Sequence, residues 1–277
     1  MKWMTNGKTA VISGGASGIG LESAKRFLAC GMNVVIADVK NLTSAKESLL
    51  EISNDESKVL IQECDVTSLD AIKELEIFVQ ESFGKVHCLM GNAGMIAMGT
   101  KPWEEVEQLH KIMNTNFMGV VNLCNAFIPS MIAHGEDGVV INTGSKQGIT
   151  RPPGNYAYNL SKASVVAYTE ALSHAFITTE DCKIKSHLLI PAFVYTPMIS
   201  AFIPEKPEFA ATTEETVDYF MEALKRDEFY ILCPDNETNR EIDEKRIQWA
   251  ADDIIKNRPA MSRWHPDYQE EFEAFMK

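Results

Sequence analysis

The sequence predicts a doubly wound α/β fold, a Rossmann-type, seven-stranded, mostly parallel sheet with helices on both faces. Three observations carry that expectation. Short apolar runs such as Val34-Val-Ile-Ala37 and Val139-Val-Ile141 alternate with longer amphipathic stretches. That is the pattern of strands buried on both faces and joined by right-handed helical crossovers. A glycine-rich turn, Ser13-Gly-Gly-Ala-Ser-Gly-Ile-Gly20, separates the first apolar run from the first amphipathic one. Finally, Gly14, Asp38, Asp65, Asn92, Ser145 and Pro191 each stand just after an expected strand. They would gather at the carboxyl edge of the sheet, where such folds bind their ligands.

Taken in order, the apolar run Thr9 to Ile12 makes 8–13 the first strand, and the amphipathic stretch from Leu21 to Phe27 makes 18–30 the first helix. Further strands are expected at 32–37, 58–63, 86–91, 138–143, 183–190 and 228–233, each a short apolar run. The stretches between them predict helices near 44–53, 68–83, 103–134, 155–179 and 214–226. Asn236 is a suitable N-cap for one more helix, whose apolar stripe (Ile242, Ile247, Trp249, Ala250, Ile254, Ile255) is only partial. An amphipathic tail follows, Glu270-Glu-Phe-Glu-Ala-Phe-Met276. The chain is thus expected to form one domain over 1–277. Its dinucleotide-binding core would span 8–196, with a substrate lid at about 197–215 and a helical extension at about 235–277.

The glycine turn has the context that nucleotide binding requires, strand then turn then helix. Glycines let the backbone approach a pyrophosphate, and the helix N-terminus offers free N–H groups and a partial positive charge. Asp38 closes the second apolar run about 20 residues beyond the glycines, where an acid bonds the adenosine ribose hydroxyls. An acid there repels a 2′-phosphate, and the turn itself carries no base, so NAD is the expected cofactor. Lys40, two positions on, keeps NADP as the alternative.

Tyr158-Asn-Leu-Ser-Lys162 places a phenol and an ammonium on one helix face, one turn apart. An ammonium favours ionisation of a nearby phenol, which suits Tyr158 to exchange a proton with an alcohol oxygen. Tyr156 has no lysine four residues on, which selects Tyr158. Ser145, thirteen residues upstream of Tyr158, is placed to donate a hydrogen bond to a developing alkoxide.

Together these motifs resemble the short-chain dehydrogenase/reductase family in its NAD-dependent single-domain form. The turn matches at Gly14, Gly18 and Gly20, although Ser13 stands where threonine is usual, and Ser17 and Ile19 are expected to bind the cofactor with them. Cys64-Asp65-Val66 resembles the segment that flanks the adenine, and Asn92-Ala93-Gly94 the element that braces the central strand. Pro191-Ala-Phe-Val194-Tyr-Thr196 resembles the Pro-Gly-x-Val-x-Thr segment, with Ala192 replacing the glycine. The resemblance implies a catalytic set of Asn116, Ser145, Tyr158 and Lys162. Lys162 would also hold the nicotinamide ribose, and Asn116 would support a water-linked proton path to it. It further implies a homotetramer or homodimer through the helix that follows Asn116 and the helix that contains Tyr158.

Composition narrows the function. The net charge of −13 argues against a nucleic-acid partner, because phosphate contacts need a basic face. From residue 197 onward nineteen acids face ten bases, so most of that charge lies in the C-terminal region. No apolar run approaches the ~18 residues of a membrane span, and the first residues lack a signal-peptide core. The six cysteines are scattered, which reads as thiols in a reducing cytoplasm. No metal site is expected, since the histidines show no ligand spacing. Met198, Ile199, Phe202, Ile203 and Phe209 suggest an apolar lid, and Met95, Ile96 and Met98 would line the same cleft. Arg151 is the one arginine near it.

The expected activity is therefore an NAD-dependent alcohol dehydrogenase or ketone reductase acting on an apolar secondary alcohol or ketone. An NADP-dependent carbonyl reductase and a non-catalytic nicotinamide sensor are the alternatives. Trp264 and Tyr268 in the tail would pack either on their own subunit or on a neighbour near its active site.

Overall fold

The computed structural model describes residues 1–97 and 101–277. Seven strands form one parallel sheet: β1 (Thr9–Ser13), β2 (Asn33–Asp38), β3 (Val59–Glu63), β4 (Cys88–Gly91), β5 (Gly138–Thr143), β6 (Ile184–Ile190) and β7 (Tyr230–Leu232). Their order is β3-β2-β1-β4-β5-β6-β7, and every pairing is parallel, including the edge strand β7. The winding reverses between β1 and β4, which opens a crevice at their carboxyl ends.

Successive strand residues face opposite layers, which explains the continuous apolar runs. Ala10, Ile12, Val34, Ile36, Cys88, Met90, Val139 and Ile141 pack in one layer with Phe27 and Phe220. Val11, Val35, Leu89 and Val140 pack in the other with Ile72, Leu75, Leu123, Phe127 and Val165. The helices covering these faces are α1 (Gly18–Ala29), α2 (Leu42–Leu50), α3 (Leu69–Phe83), α4 (Val106–Met113), α5 (Gly119–Ala133), α6 (Gln147–Thr150), α7 (Tyr156–Thr178), α8 (Pro197–Ser200), α9 (Thr213–Lys225), α10 (Arg240–Ile255) and α11 (Gln269–Met276).

Several boundaries differ from the sequence reading for identifiable reasons. The helix expected over 103–134 begins at Val106 and passes through a π-turn, Asn114–Met118, between α4 and α5. As one rod, Val106–Ala133 is long and apolar enough to cross a membrane by length and composition. Scattered polar residues hide this in a scan for apolar runs. Ile112, Val120, Leu123, Cys124, Phe127 and Met131 of the rod are buried in the core.

The stretch 197–215 also contains a helix start. Thr212 and Glu215 form a capping box that starts α9 at Thr213, inside the expected 197–215. The N-cap of α10 is Asn239, whose side chain accepts from Ile242 N–H (3.0 Å), and not Asn236. Asn236 instead donates to the carbonyls of Glu208 (2.8 Å) and Ala210 (3.1 Å). Asparagine serves both purposes equally well, so local sequence could not choose between them.

The C-terminal tail packs on its own chain. Trp249 of α10 is buried against Phe272 and Phe275 of α11, with the Arg258 guanidinium 3.8 Å from its ring centre. Trp264 and Tyr268 are half-buried in the connection between these helices.

Candidate active site

The carboxyl ends of β1 to β6 border one cleft of about 910 Å³. Its floor lies at the β1–β4 reversal. Ser13 Oγ accepts there from the N–H groups of Asn92 (3.0 Å) and Ala93 (3.1 Å). Gly14 has φ +61°, and a Cβ on it would come within 2.6 Å of the Ala93 Cα. Only glycine lets the turn close onto Asn92-Ala-Gly94. Asn92 ties three strands together, donating to Gly14 O (3.0 Å) and accepting from Thr143 Oγ1 (3.1 Å).

At one end Asp38 stands over the glycine turn. Its carboxylate accepts from Ala16 N–H (3.1 Å) and Val39 N–H (2.8 Å), which fixes a negative charge at the mouth of the turn. Asp65 is held by Thr67 N–H (2.9 Å), and the Val66 carbonyl accepts from Asn122 (2.9 Å). Beside them burial pushes the Cys64 thiol up to about 11.

At the other end stand Ser145, Tyr158 and Lys162. Lys162 is 4 % exposed and donates to the Thr143 carbonyl at 2.7 Å. Burial pulls its ammonium down to about 8. Tyr158 is partly open to the cleft, and the Lys162 Nζ lies 5.7 Å from its ring centre. Burial pushes the phenol above its ordinary value, while a hydrogen bond with Ser145 acts to lower it. The sequence reading expected Lys162 to depress the phenol. In the protein alone desolvation dominates, and the opposing pull comes from Ser145. Ser145 Oγ also accepts from Gln147 N–H (3.2 Å), which orients the hydroxyl.

Sixteen of the eighteen expected site residues line this cleft: Gly14, Ser17, Gly18, Ile19, Asp38, Asp65, Val66, Asn92, Ala93, Gly94, Ser145, Tyr158, Lys162, Pro191, Val194 and Thr196. Gly20 and Asn116 do not. Gly20 lies within the first turn of α1. Asn116 is fully buried in the π-turn. Its Oδ1 accepts from Met95 N–H (2.8 Å), while its Nδ2 donates to Met95 O (2.9 Å) and Ser161 Oγ (3.0 Å). It therefore clamps the segment after β4 onto α7. Asn116→Ala should lower stability to urea by about 1–3 kcal/mol, the usual cost of stranding such groups. A loss below about 0.5 kcal/mol would mean that the Met95 segment re-pairs without it.

The sequence reading missed Thr143, Ser161, Gln147, Lys111 and Phe193. Thr143 was the most accessible of these, as the last residue of β5 two positions before Ser145. Met95, Ile96, Phe193, Met198, Ile199 and Phe202 give the far end of the cleft an apolar wall. Met98 lies outside the described residues. Arg151 is exposed at the end of α6 and does not line the cleft, whereas Lys40 and Lys111 do. The segment 195–210 is closed at its base by backbone bonds from Tyr195 to Ala211 (2.9 Å) and from Ala211 to Phe193 (2.9 Å).

Known proteins resemble this chain in sequence and in fold. Residues 8–206 match the family described as short chain dehydrogenase. The chain is similar to a 2,5-dichloro-2,5-cyclohexadiene-1,4-diol dehydrogenase of Sphingobium indicum, at 32% identity over 72% of this chain and 77% of that protein. It is also similar to the 1-deoxy-11-beta-hydroxypentalenate dehydrogenase of Streptomyces arenae, at 25% identity over 93% of each. Among solved structures, a short chain dehydrogenase/reductase from Burkholderia phymatum in complex with NAD superposes with a TM-score of 0.82, at 27% identity. That likeness covers 93% of this chain and 97% of the other. A family match over most of the chain, carried by the same fold, shows that the protein is an oxidoreductase of the short-chain dehydrogenase/reductase family.

Proposed function

We propose that the protein is an NAD-dependent dehydrogenase or reductase acting on an apolar secondary alcohol or ketone, with Tyr158 moving the proton. One observation carries this reading. Ser145, Tyr158 and Lys162 converge in the same cleft as the glycine turn and Asp38. In alcohol oxidation the ionised Tyr158 accepts the hydroxyl proton, and Ser145 donates to the oxygen as it gains charge. In the reverse direction Tyr158 returns the proton to the ketone oxygen.

The residues present fit a dinucleotide. Gly14 lets the turn close onto Ala93 with no side chain in the way, and the first N–H groups of α1 have no acceptor within the helix, which suits them to a pyrophosphate. Gly14, Ser17, Gly18, Ile19 and Gly20 would hold that group, Asp38 the adenosine ribose, and Asp65 and Val66 the adenine. Asn92, Ala93, Gly94, Pro191, Val194 and Thr196 would hold the nicotinamide half. Lys162 spends one donor on Thr143, leaving others for the ribose hydroxyls. Bound NAD would supply the hydride acceptor, and its reduced form the donor.

The fixed carboxylate of Asp38 supports NAD over NADP, although Lys40 also borders the cleft. Asp38→Ala combined with Val39→Arg should shift the ratio of kcat/KM values toward NADP by about two orders of magnitude, roughly 3 kcal/mol. Retention of NAD preference would mean that the determinant lies elsewhere.

The substrate class rests on the apolar wall. Two similar proteins are named as dehydrogenases of hydroxylated compounds, one of them a cyclohexadiene diol. We infer one domain over 1–277, with 8–196 as the dinucleotide-binding core, the segment after Thr196 as the lid and 235–277 as an extension. The free thiols and the exposed Met118, Leu160 and Ile177 support a cytoplasmic homo-oligomer, a dimer or tetramer. The direct test is formation of reduced nicotinamide from NAD across linear, cyclic and steroidal secondary alcohols. Silence across the panel with NAD still bound would favour a sensor, and absence of NAD binding would overturn the reading.

A further inference from the structure

Ser145 is followed by Lys146, which does not line the cleft and whose side chain is only 16 % exposed. Its ammonium lies 2.7 Å from Asp243 of α10, a carboxylate 6 % exposed. The contact is charge against charge rather than an aligned hydrogen bond, and neither paired atom has a hydrogen-bond partner among the described residues. Asp243 also faces Arg246 and Arg263, with Asp235 as the nearby like charge.

The segment that this pair anchors is small. Lys146 caps α6, its carbonyl accepting from the N–H groups of Ile149 (3.0 Å) and Thr150 (3.0 Å). A four-residue helix does not hold itself together, so it depends on its neighbours. On one side Gly148 lies against α7, where a Cβ would sit 2.6 Å from the carbonyl carbon of Lys162. On the other side stands α10. Ser145 is thus oriented by a turn wedged between the Lys162 backbone and the C-terminal extension. The start of the extension braces the substrate side as well. Asp235 accepts from Phe193 N–H (3.4 Å), and Asn236 donates to the carbonyls of Glu208 and Ala210. The family match ends at residue 206, so all three braces come from beyond it.

We propose that the C-terminal extension is a positioning element for the reaction, with Asp243 acting through Lys146 to hold the Ser145 turn. Lys146 and Asp243 are positioning residues that touch neither substrate nor cofactor. The inference rests on the reading of Ser145 and Tyr158 given above.

The test uses the full chain with NAD and the panel alcohol oxidised fastest. The variants are Asp243→Asn, Asp243→Glu, Lys146→Met and, in parallel, Tyr158→Phe. Asp243→Asn should lower kcat about tenfold with the dissociation constant for NAD within about twofold, a loss of roughly 1.4 kcal/mol. The limb of the pH profile belonging to Tyr158 should move upward, because the Ser145 bond that lowers the phenol is loosened. Hydrogen exchange over 145–150 should quicken about tenfold while that over 14–20 stays unchanged. Asp243→Glu should restore most of kcat. Lys146→Met leaves Asp243 its two arginines, so it should fold and show the same loss.

A wild-type kcat and pH profile in Asp243→Asn would overturn the proposal. So would a parallel loss of NAD binding, which marks general destabilisation. Normal turnover by Tyr158→Phe would instead remove the reading beneath it. Unchanged exchange at 145–150 would refute the inference whatever the turnover.

Discussion

Tyr158→Phe should lose about 10²–10⁴-fold in turnover while binding NAD within about threefold of wild type. The substitution removes one oxygen and leaves the ring that packs beside Lys162. Binding and chemistry are therefore separable at this position. The loss corresponds to about 3–5 kcal/mol of transition-state stabilisation, at about 1.4 kcal/mol per decade. The phenol lies above its ordinary value through burial, so its ionised fraction grows with pH. Alcohol oxidation by the wild type should accordingly rise toward alkaline pH, and the residual activity of the variant should lose that limb. Steady-state rates over pH 6–10 together with NAD titration measure both. Near-normal turnover would remove Tyr158 from the chemistry.

Lys162→Met should move activity and stability in opposite directions. Turnover should fall at least about 10²-fold, because the donors that Lys162 would offer the nicotinamide ribose are lost and the cofactor is no longer held against the substrate. Stability of the protein without ligand should rise. The ammonium is 4 % exposed, with its folded value near 8 against an ordinary 10.5. That shift corresponds to a penalty of about 3 kcal/mol at neutral pH. Stranding the Thr143 carbonyl returns part of it, leaving a net gain of about 1–2 kcal/mol.

The pH dependence follows from the direction of the shift. Between about pH 8 and 10.5 the unfolded chain keeps this proton and the folded chain has lost it. The penalty in the wild type therefore fades as pH rises through that window. The stability advantage of Lys162→Met should be full below pH 8 and shrink toward pH 10.5. Urea midpoints of the two proteins across this range test the sign. An advantage that grows with pH would contradict a desolvated ammonium.

What could be read from the sequence was whatever local chemistry imposes. The strands were legible because each is buried on both faces, so Val34 to Ala37 had to be apolar at every position. The glycine turn was legible because close approach to Ala93 admits no side chain at Gly14. Tyr158 and Lys162 were legible because helical spacing puts them on one face. Asn116 was legible as a residue and illegible as a role. Its buried position depends on a π-turn that Asn114–Met118 does not announce, and its partners stand 21 and 45 residues away. The choice of Asn239 over Asn236 as the helix cap depended likewise on the carbonyls of a distant loop.

By itself the sequence determined the parallel α/β fold, the nucleotide-type turn, and which serine, tyrosine and lysine share an edge. Each of these follows from conformational preferences and spacings within a few residues. Tertiary structure alone decided which charges are buried and with what partners. It set Lys162 against the Thr143 carbonyl, Tyr158 in a desolvated wall, and Lys146 against Asp243. Such effects depend on how much water the whole fold excludes and on which distant segments meet, and no local pattern encodes either.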